Sequence, residues 1–366
     1  MASPSRYYQH VSTAFAKLRG ERGVRERRPV GALRMVIFSD HHRGDRTGSD
    51  EFQRCEATYR AALDHYYEAG YQLVLLGDVE ELWKTMPGLA VEAYADILAS
   101  ERRFAQAGRY LRLFGNHDDA WGDGALAGRH LGDYICDESG CFLVHEAVTI
   151  EVTEDGDGTR RLGDLFLTHG HQGTFYSDRW AGPSRWVVRW LWRPVQRVLQ
   201  MGLSTPANDY ELRLKHELAM HRWAAEHPGV ILVAGHTHRP VFCSHSHESH
   251  VTSEIAAREQ ARAAAATDGD REAIGQRIAA HRKELQALLA GSSGKMIDRP
   301  DNTRPCYFNT GCCSFADGDI TGLEIADGEI RLVKWSAKAA TGGGPPQSAP
   351  HTLRRAGLRD LFARLD

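Results

Sequence analysis

The chain's 366 residues, 42% hydrophobic and 25% charged, suffice for one large domain with insertions or for two, with the balance of an ordinary globular protein. A net charge of -3 excludes a global field for nucleic acid, although residues 19–28 are locally basic. Seven scattered cysteines without a CxxC pair argue against a disulfide framework, and no apolar run matches a signal-peptide core or a membrane span, so a cytoplasmic location is expected.

Residues 5–18 suit a short helix, and 20–31 read as a basic connector, making 1–30 a solvated N-terminal arm. The core begins at Leu33-Arg34-Met35-Val36-Ile37-Phe38, a buried-strand pattern. Phe52, Cys55, Tyr59, Leu63 and Tyr66 recur at helical spacing and predict a helix over 51–69. Residues 71–76 are the next strand, 89–108 the next helix and 110–114 the third strand. This βαβαβ rhythm predicts a parallel sheet segment with its functional residues at the carboxyl ends of the strands.

After Asp119 the pattern changes. Strand-like runs at 142–144, 148–152, 165–168, 230–234 and 306–309 read as a second, more antiparallel sheet. Residues 322–325 and 330–333, joined by Asp327-Gly328, close the chain as a hairpin. Two helical insertions interrupt a domain over 31–336: a Trp- and Arg-rich stretch at about 172–228, and a hairpin at about 243–300 that offers a surface for a homodimer. Residues 339–351 are a Gly/Pro linker before a short amphipathic helix, so 337–366 lies outside the domain.

Five short polar motifs occur in order, four of them directly after or within an apolar, strand-like run. They are Asp40-His41-His42, Gly77-Asp78, Gly115-Asn116-His117-Asp118, His169-Gly170-His171 and Gly235-His236-Thr237-His238. An Asp-x-His at a strand end turns Asp40 and His42 to one side and His41 away. Asp78 offers two carboxylate oxygens, suited to bridge two cations, and Asn116 a neutral carbonyl. His236 and His238, alternating across Thr237, can give one imidazole to each ion, and His169 completes the set. Oxygen and imidazole without thiolate suit Mn, Fe, Zn or Co better than Ca or Mg, with Mn the first expectation. Two such ions form a clamp for displacement at phosphorus. His117 stands apart as a group that can protonate the leaving alkoxide, with Asp118 or Asp119 on its other ring nitrogen.

The set Asp40-x-His42, Gly77-Asp78-x-x-Glu81, Gly115-Asn116-His117-Asp118, His169-Gly170 and Gly235-His236-x-His238 resembles the calcineurin-like metallophosphoesterases over roughly residues 34–335. Tyr307-Phe308-Asn309-Thr310-Gly311 is similar to that family's late strand and turn. The resemblance implies an α/β fold, a four-layer α/β/β/α sandwich of two mixed sheets, here with helical insertions. It also implies two divalent metal ions. One takes Asp40, His42, Asp78 and His238, the other Asp78, Asn116, His169 and His236, with His117 as the catalytic histidine. The segment Gly77-Asp78-x-x-Glu81-x-Trp83 is similar to the branch containing UDP-diacylglucosamine pyrophosphohydrolases. The chain departs from that branch in His117, where an Arg is typical, and in His171, where an Asp is typical.

The expected function is hydrolysis of phosphodiester or phosphomonoester bonds by direct attack of a metal-bound hydroxide. The alternatives are a UDP-sugar or lipid pyrophosphohydrolase, and an inactive binding scaffold of the same fold, which would normally have lost ligands. His171, Arg179 and Arg185 are the candidate substrate contacts. Arg185, Arg189, Arg193 and Arg197, with Trp186 and Trp190, suggest a lid over a phosphorylated small-molecule or lipid-like substrate, or a peripheral membrane contact. Glu81 and Trp83 are expected beneath the site. His245, His247 and His250 lack a carboxylate or cysteine pattern to complete a further metal site and read as an exposed loop.

Overall fold

In the computed structural model, which describes residues 6–48, 50–135, 143–155, 160–172, 206–265, 267–290, 304–337 and 349–366, short strands alternate with helices to build two stacked sheets. The first third runs α1 (Arg6–Lys17), β1 (Val24–Pro29), β2 (Met35–Phe38), α2 (Glu56–Glu68), β3 (Gln72–Leu76), α3 (Pro87–Ala93), α4 (Ala95–Gln106), β4 (Tyr110–Leu113) and α5 (Gly124–Ile135). There follow β5 (Val144–His145), β6 (Ala147–Thr153), β7 (Arg161–Thr168), α6 (Pro206–Ala225), β8 (Val230–Ala234), β9 (Val241–Phe242) and β10 (His245–Ser246). The chain ends with α7 (His247–Ala264), α8 (Asp268–Ala290), β11 (Tyr307–Asn309), β12 (Ile320–Ala326), β13 (Glu329–Trp335), β14 (His351–Gly357) and α9 (Leu358–Ala363).

One sheet has the order β14-β13-β12-β2-β3-β4-β5, and the other β1-β6-β7-β8-β11-β9-β10. Strand periodicity explains the layering. Met35 and Ile37 of β2, with Val74 and Leu76 of β3, enter the core between the sheets. Their neighbours Val36, Phe38, Leu73 and Leu75 face the opposite way, onto Tyr59, Leu63 and Tyr66 of α2 and Ile97 and Phe104 of α4. On the far face of the second sheet Phe166 of β7 meets Phe15 of α1 and Trp223 of α6 at ring-centroid distances of 5.5 and 5.6 Å. The order is therefore helix, sheet, sheet, helix: an α/β/β/α sandwich of two mixed sheets.

Several local expectations are corrected. Both sheets are evenly mixed, so the second is not the more antiparallel one. The β12–β13 hairpin joins the first sheet, antiparallel to β2. Its turn has positive φ at both Asp327 (56°) and Gly328 (74°), as a two-residue hairpin requires. The helix expected over 89–108 breaks at Tyr94 (φ -120°, ψ 30°), whose buried hydroxyl donates to Asp50 Oδ2 at 2.7 Å.

The N-terminal stretch is not a solvated arm. Residues 24–29 form β1, parallel to β6, and Arg19, Arg25 and Arg161 gather on the buried carboxylate of Asp164. Beyond residue 348 the chain returns as β14, antiparallel to β13, and α9 buries Leu358, Leu361 and Phe362 in the central core. Helices α7 and α8 pack on each other through Val251, Ile255 and Ile278. No described helix is long and apolar enough to cross a membrane.

Candidate metal centre

The parallel strands β2, β3 and β4 end side by side, and the loops that leave them stay paired. Asp40 N–H donates to Gly77 O at 3.1 Å, His42 N–H to Asp78 O at 3.0 Å, and Arg43 N–H to Val79 O at 2.9 Å. On the second sheet, Gly235 N–H donates to His169 O at 3.0 Å. Asn309 Nδ2 at the end of β11 ties down Gly235 O at 2.6 Å and Thr237 Oγ1 at 3.2 Å. Each loop is bent sharply. Asp40, His42, Asp78, His236 and His238 all have φ between 51° and 69°, the left-handed region that side chains bearing a Cβ avoid. Backbone strain at five candidate ligands marks a site the surrounding fold holds in place.

Among the described residues the expected ligands converge in two groups, and His42, Glu81 and His117 make a third. Asp40, His42 and His238 form the first, and Asp78, His169 and His236 the second, each with ligand atoms within 4.8 Å of one another. In the first, His42 Nε2 lies 3.0 Å from His238 Nε2, and His238 Nε2 lies 3.3 Å from Asp40 Oδ1. In the second, His169 Nδ1 is held by Leu76 O at 2.8 Å, which turns Nε2 toward Asp78 Oδ2 at 3.1 Å. Asp78 Oδ2 is also 4.0 Å from His42 Nε2, so this one carboxylate reaches both groups. Space is tight: a Cβ on Gly77, itself at φ 89°, would stand 2.7 Å from both Gly115 N and His169 Nδ1.

These residues fit divalent cations. Asn116 Oδ1 is buried without a hydrogen-bond partner, a costly state for a polar atom unless a ligand takes it. The field of the site points the same way. Burial disfavours charge on Asp40, yet His238 and His169 outweigh it and hold the carboxyl below its usual range. Burial acts likewise on Asp78, where His169 and His117 prevail. Burial also opposes charge on His169, but Asp78 and Asp40 raise it to about 9. Carboxylates that draw a proton onto a buried imidazole favour a metal cation there still more.

His117 lies at the edge of the first group, its ring centroid 4.6 Å from that of His42. Its N–H donates to Asp78 Oδ1 at 2.8 Å. The carboxylate on His117 Nδ1 is that of Glu81, at 2.9 and 3.0 Å, not that of Asp118 or Asp119. Asp118 is committed elsewhere, accepting the backbone N–H groups of Asp78, Val79 and Gly115. Glu81 also stands 3.5 Å from His42 Nδ1. Burial acts to raise the Glu81 carboxyl, but hydrogen bonds from His117 and His42 carry it far below its usual range. Trp83 stacks on His117 at 3.9 Å and is partly exposed, and Met86 and Leu89, later in the sequence, are exposed as well.

His41 points away, as the strand alternation predicts, into the rings of Phe52 and Tyr59. Burial, with Arg43 and Arg112 nearby, holds its imidazole neutral. His171 is buried 5.5 Å from His169 by ring centroid, and burial pushes it down to about 3. Arg179 and Arg185, and the rest of 173–205, lie outside the described residues, as do Cys136 and Cys141.

One neighbour carried no signal in the sequence. His216, on α6, donates from Nε2 to Gly170 O and packs edge-on against His236 at 5.2 Å. It sits in no motif, and only the packing of α6 on the second sheet brings it there.

Comparison with known proteins gives a family and several similar solved structures. Residues 33–240, a span containing every ligand candidate above, match the profile of the calcineurin-like phosphoesterases. Vacuolar Protein Sorting 29 from Cryptosporidium parvum is similar in structure, with 10% identity and a TM-score of 0.33 over 89% of this chain and 98% of that one. No curated protein matches the sequence.

Proposed function

The chain belongs to the calcineurin-like phosphoesterase family, and from that premise we propose that it hydrolyses phosphomonoesters or phosphodiesters at a centre of two divalent metal ions, manganese first among them. The observation that carries this reading is the position of Asp78, one oxygen of which lies 3.1 Å from His169 Nε2 and 4.0 Å from His42 Nε2. One ion is assigned to Asp40, His42, Asp78 and His238, and the other to Asp78, Asn116, His169 and His236. Bound there, the cations supply Lewis acidity to the phosphoryl oxygens and acidify water.

The rest belongs to the chain. Glu81 holds His117 by Nδ1 and so leaves Nε2 to deliver a proton to the departing oxygen. The backbone N–H of His117, donating to Asp78 Oδ1, keeps this acid in register with the carboxylate that would be shared by the two ions. Trp83, stacked on the ring, restricts its rotation and shields one face from water. His171, held neutral by burial, can donate one hydrogen bond to a substrate oxygen.

A second reading, a pyrophosphohydrolase acting on a nucleotide-linked lipid or sugar, draws on a specific observation. Trp83, Met86 and Leu89 are three of the few large apolar side chains left exposed among the described residues, and Trp83 stacks on His117. An inactive scaffold is disfavoured by the retention of the whole ligand set.

The test is Mn-supplemented hydrolysis of p-nitrophenyl phosphate and its diester by wild type, Asp78→Asn and His117→Ala. Wild type should turn over and both variants should fail. A wild type that neither binds metal nor turns over removes the enzyme reading, and full activity in Asp78→Asn removes this site. A panel of monoesters, diesters, cyclic nucleotides and UDP-sugars then separates the two substrate readings.

A further inference from the structure

Next to the centre lies a second set of charges that the proposed reaction does not use. Arg43, Glu80, Glu101, Arg112 and Asp118 are each at most 1% exposed. Arg112, on β4, pairs with Glu80, and its Nη2 lies 3.8 Å from Asp118 Oδ2. Trp121 Nε1 donates to Glu80 Oε2 at 2.8 Å. Arg43 pairs with Glu101, which also accepts the hydroxyls of Tyr59 at 3.2 Å and Tyr110 at 3.3 Å. His41 and Arg43 alternate with Asp40 and His42, so Arg43 turns to the α2 side, over the rings of Phe52 and Tyr59.

We infer that Arg112, acting through Glu80 and Asp118, is a positioning residue for the Asp78–Asn116 half of the metal centre. Asp118 commits its carboxylate to main chain. Oδ1 takes the N–H groups of Asp78 at 3.1 Å and Gly115 at 2.6 Å, and Oδ2 that of Val79 at 3.0 Å. These three bonds clamp the strained backbone of Asp78 (φ 51°) to the turn that carries Asn116. Arg112 is the cation between Asp118 and Glu80 in a region without water access. Without it Asp118 loses its cation, Glu80 is left with Arg43, whose Nη1 lies 3.9 Å from Oε1, and repulsion between the two buried carboxylates drives Asp118 from its donors. The Asp40 group has its own support, since Asp40 Oδ2 accepts the N–H of His236 at 3.0 Å and Ser39 donates to the same carboxylate. Loss of Arg112 therefore weakens one ion's site more than the other's.

The inference rests on the two-ion reading, and the experiment separates them. Metal-free wild type, Arg112→Met, Arg112→Lys and Asp164→Asn are titrated with Mn(II) alone. Bound metal is counted by equilibrium dialysis and its coupling read by electron paramagnetic resonance. Wild type should bind two ions as a coupled pair. Arg112→Met should keep one and lose affinity for the other by about 10–100-fold, the usual effect of removing support behind a metal ligand. Arg112→Lys should restore part of that loss. Asp164→Asn removes an equally buried charge on β7, paired with Arg19, Arg25 and Arg161, and should lower stability while keeping both ions.

Two ions at wild-type affinity in Arg112→Met overturn the inference, as does equal weakening of both sites or the same loss in Asp164→Asn. A wild type that binds fewer than two ions overturns the two-ion reading itself. Should Arg112→Met fail to fold, Arg112→Lys and Glu80→Gln carry the comparison, and two ions at full affinity in both overturn the inference.

Discussion

Replacing Glu81 by Gln tests how His117 is held. The side chain keeps its size but loses its charge, at a position where it accepts His117 Nδ1 at 2.9 Å and lies 3.5 Å from His42 Nδ1. A hydrogen bond to an ionised partner contributes about 1.5–3 kcal/mol net. The closer contact alone sets the scale, because 3.5 Å is at the limit of a hydrogen bond. At about 1.4 kcal/mol per tenfold in rate, kcat should fall by roughly 10–100-fold at saturating manganese. KM for p-nitrophenyl phosphate should change little, because Glu81 acts through the histidine. The decisive assay is a double-mutant cycle with His117→Ala. If Glu81 works by orienting His117, Glu81→Gln adds almost nothing in a chain already lacking the imidazole. Losses that simply multiply, or a Glu81→Gln enzyme within about threefold of wild type in kcat, would refute this reasoning.

Three further outcomes are expected. Burial pushes His216 down to about 4 and His171 to about 3 from an unfolded value of 6.5. Their folded forms bind fewer protons, so the stability they contribute is present above about pH 6.5 and is lost as pH falls toward 4, by about 3 kcal/mol for His216 alone. The urea midpoint of metal-free protein should drop over that window and drop less in His216→Gln; identical slopes would contradict the assignment. Gly115→Ala would bring a Cβ to 2.7 Å from Asp78 N and His169 Cδ2, costing about 1–3 kcal/mol and much of the bound metal. Normal metal content would show that the loop relaxes freely. Deleting 349–366 strips β14 from β13 and removes Leu358, Leu361, Phe362 and Leu365 from the central core. At about 1.5–3 kcal/mol each, those side chains rival the whole stability of a typical domain, so little folded protein should be recovered. A truncated chain with a wild-type melting temperature would mean the segment is only an appendage.

Much of the centre can be read from residue order because each candidate ligand sits just past a strand, and strands announce themselves by local patterning. The run over 35–38, the alternation that turns His41 away from Asp40 and His42, and the Asp327-Gly328 turn all follow from the geometry of adjacent residues. Other features depend on what packs against what. The sequence holds no sign that β12 pairs with β2 across more than 280 residues, or that basic residues 24–29 make an edge strand over Asp164. Asp118 adjoins His117 in its motif and Glu81 lies in another, and only the folded loops decide that Glu81 takes its ring while Asp118 takes three backbone N–H groups. His216, Arg112 and Glu80 carry no motif at all. Local sequence thus determined which side chains stand at the strand ends and hence the class of chemistry. Tertiary packing decided their orientation and support, because strand partners and buried charge pairs are chosen by contacts between residues far apart in the chain.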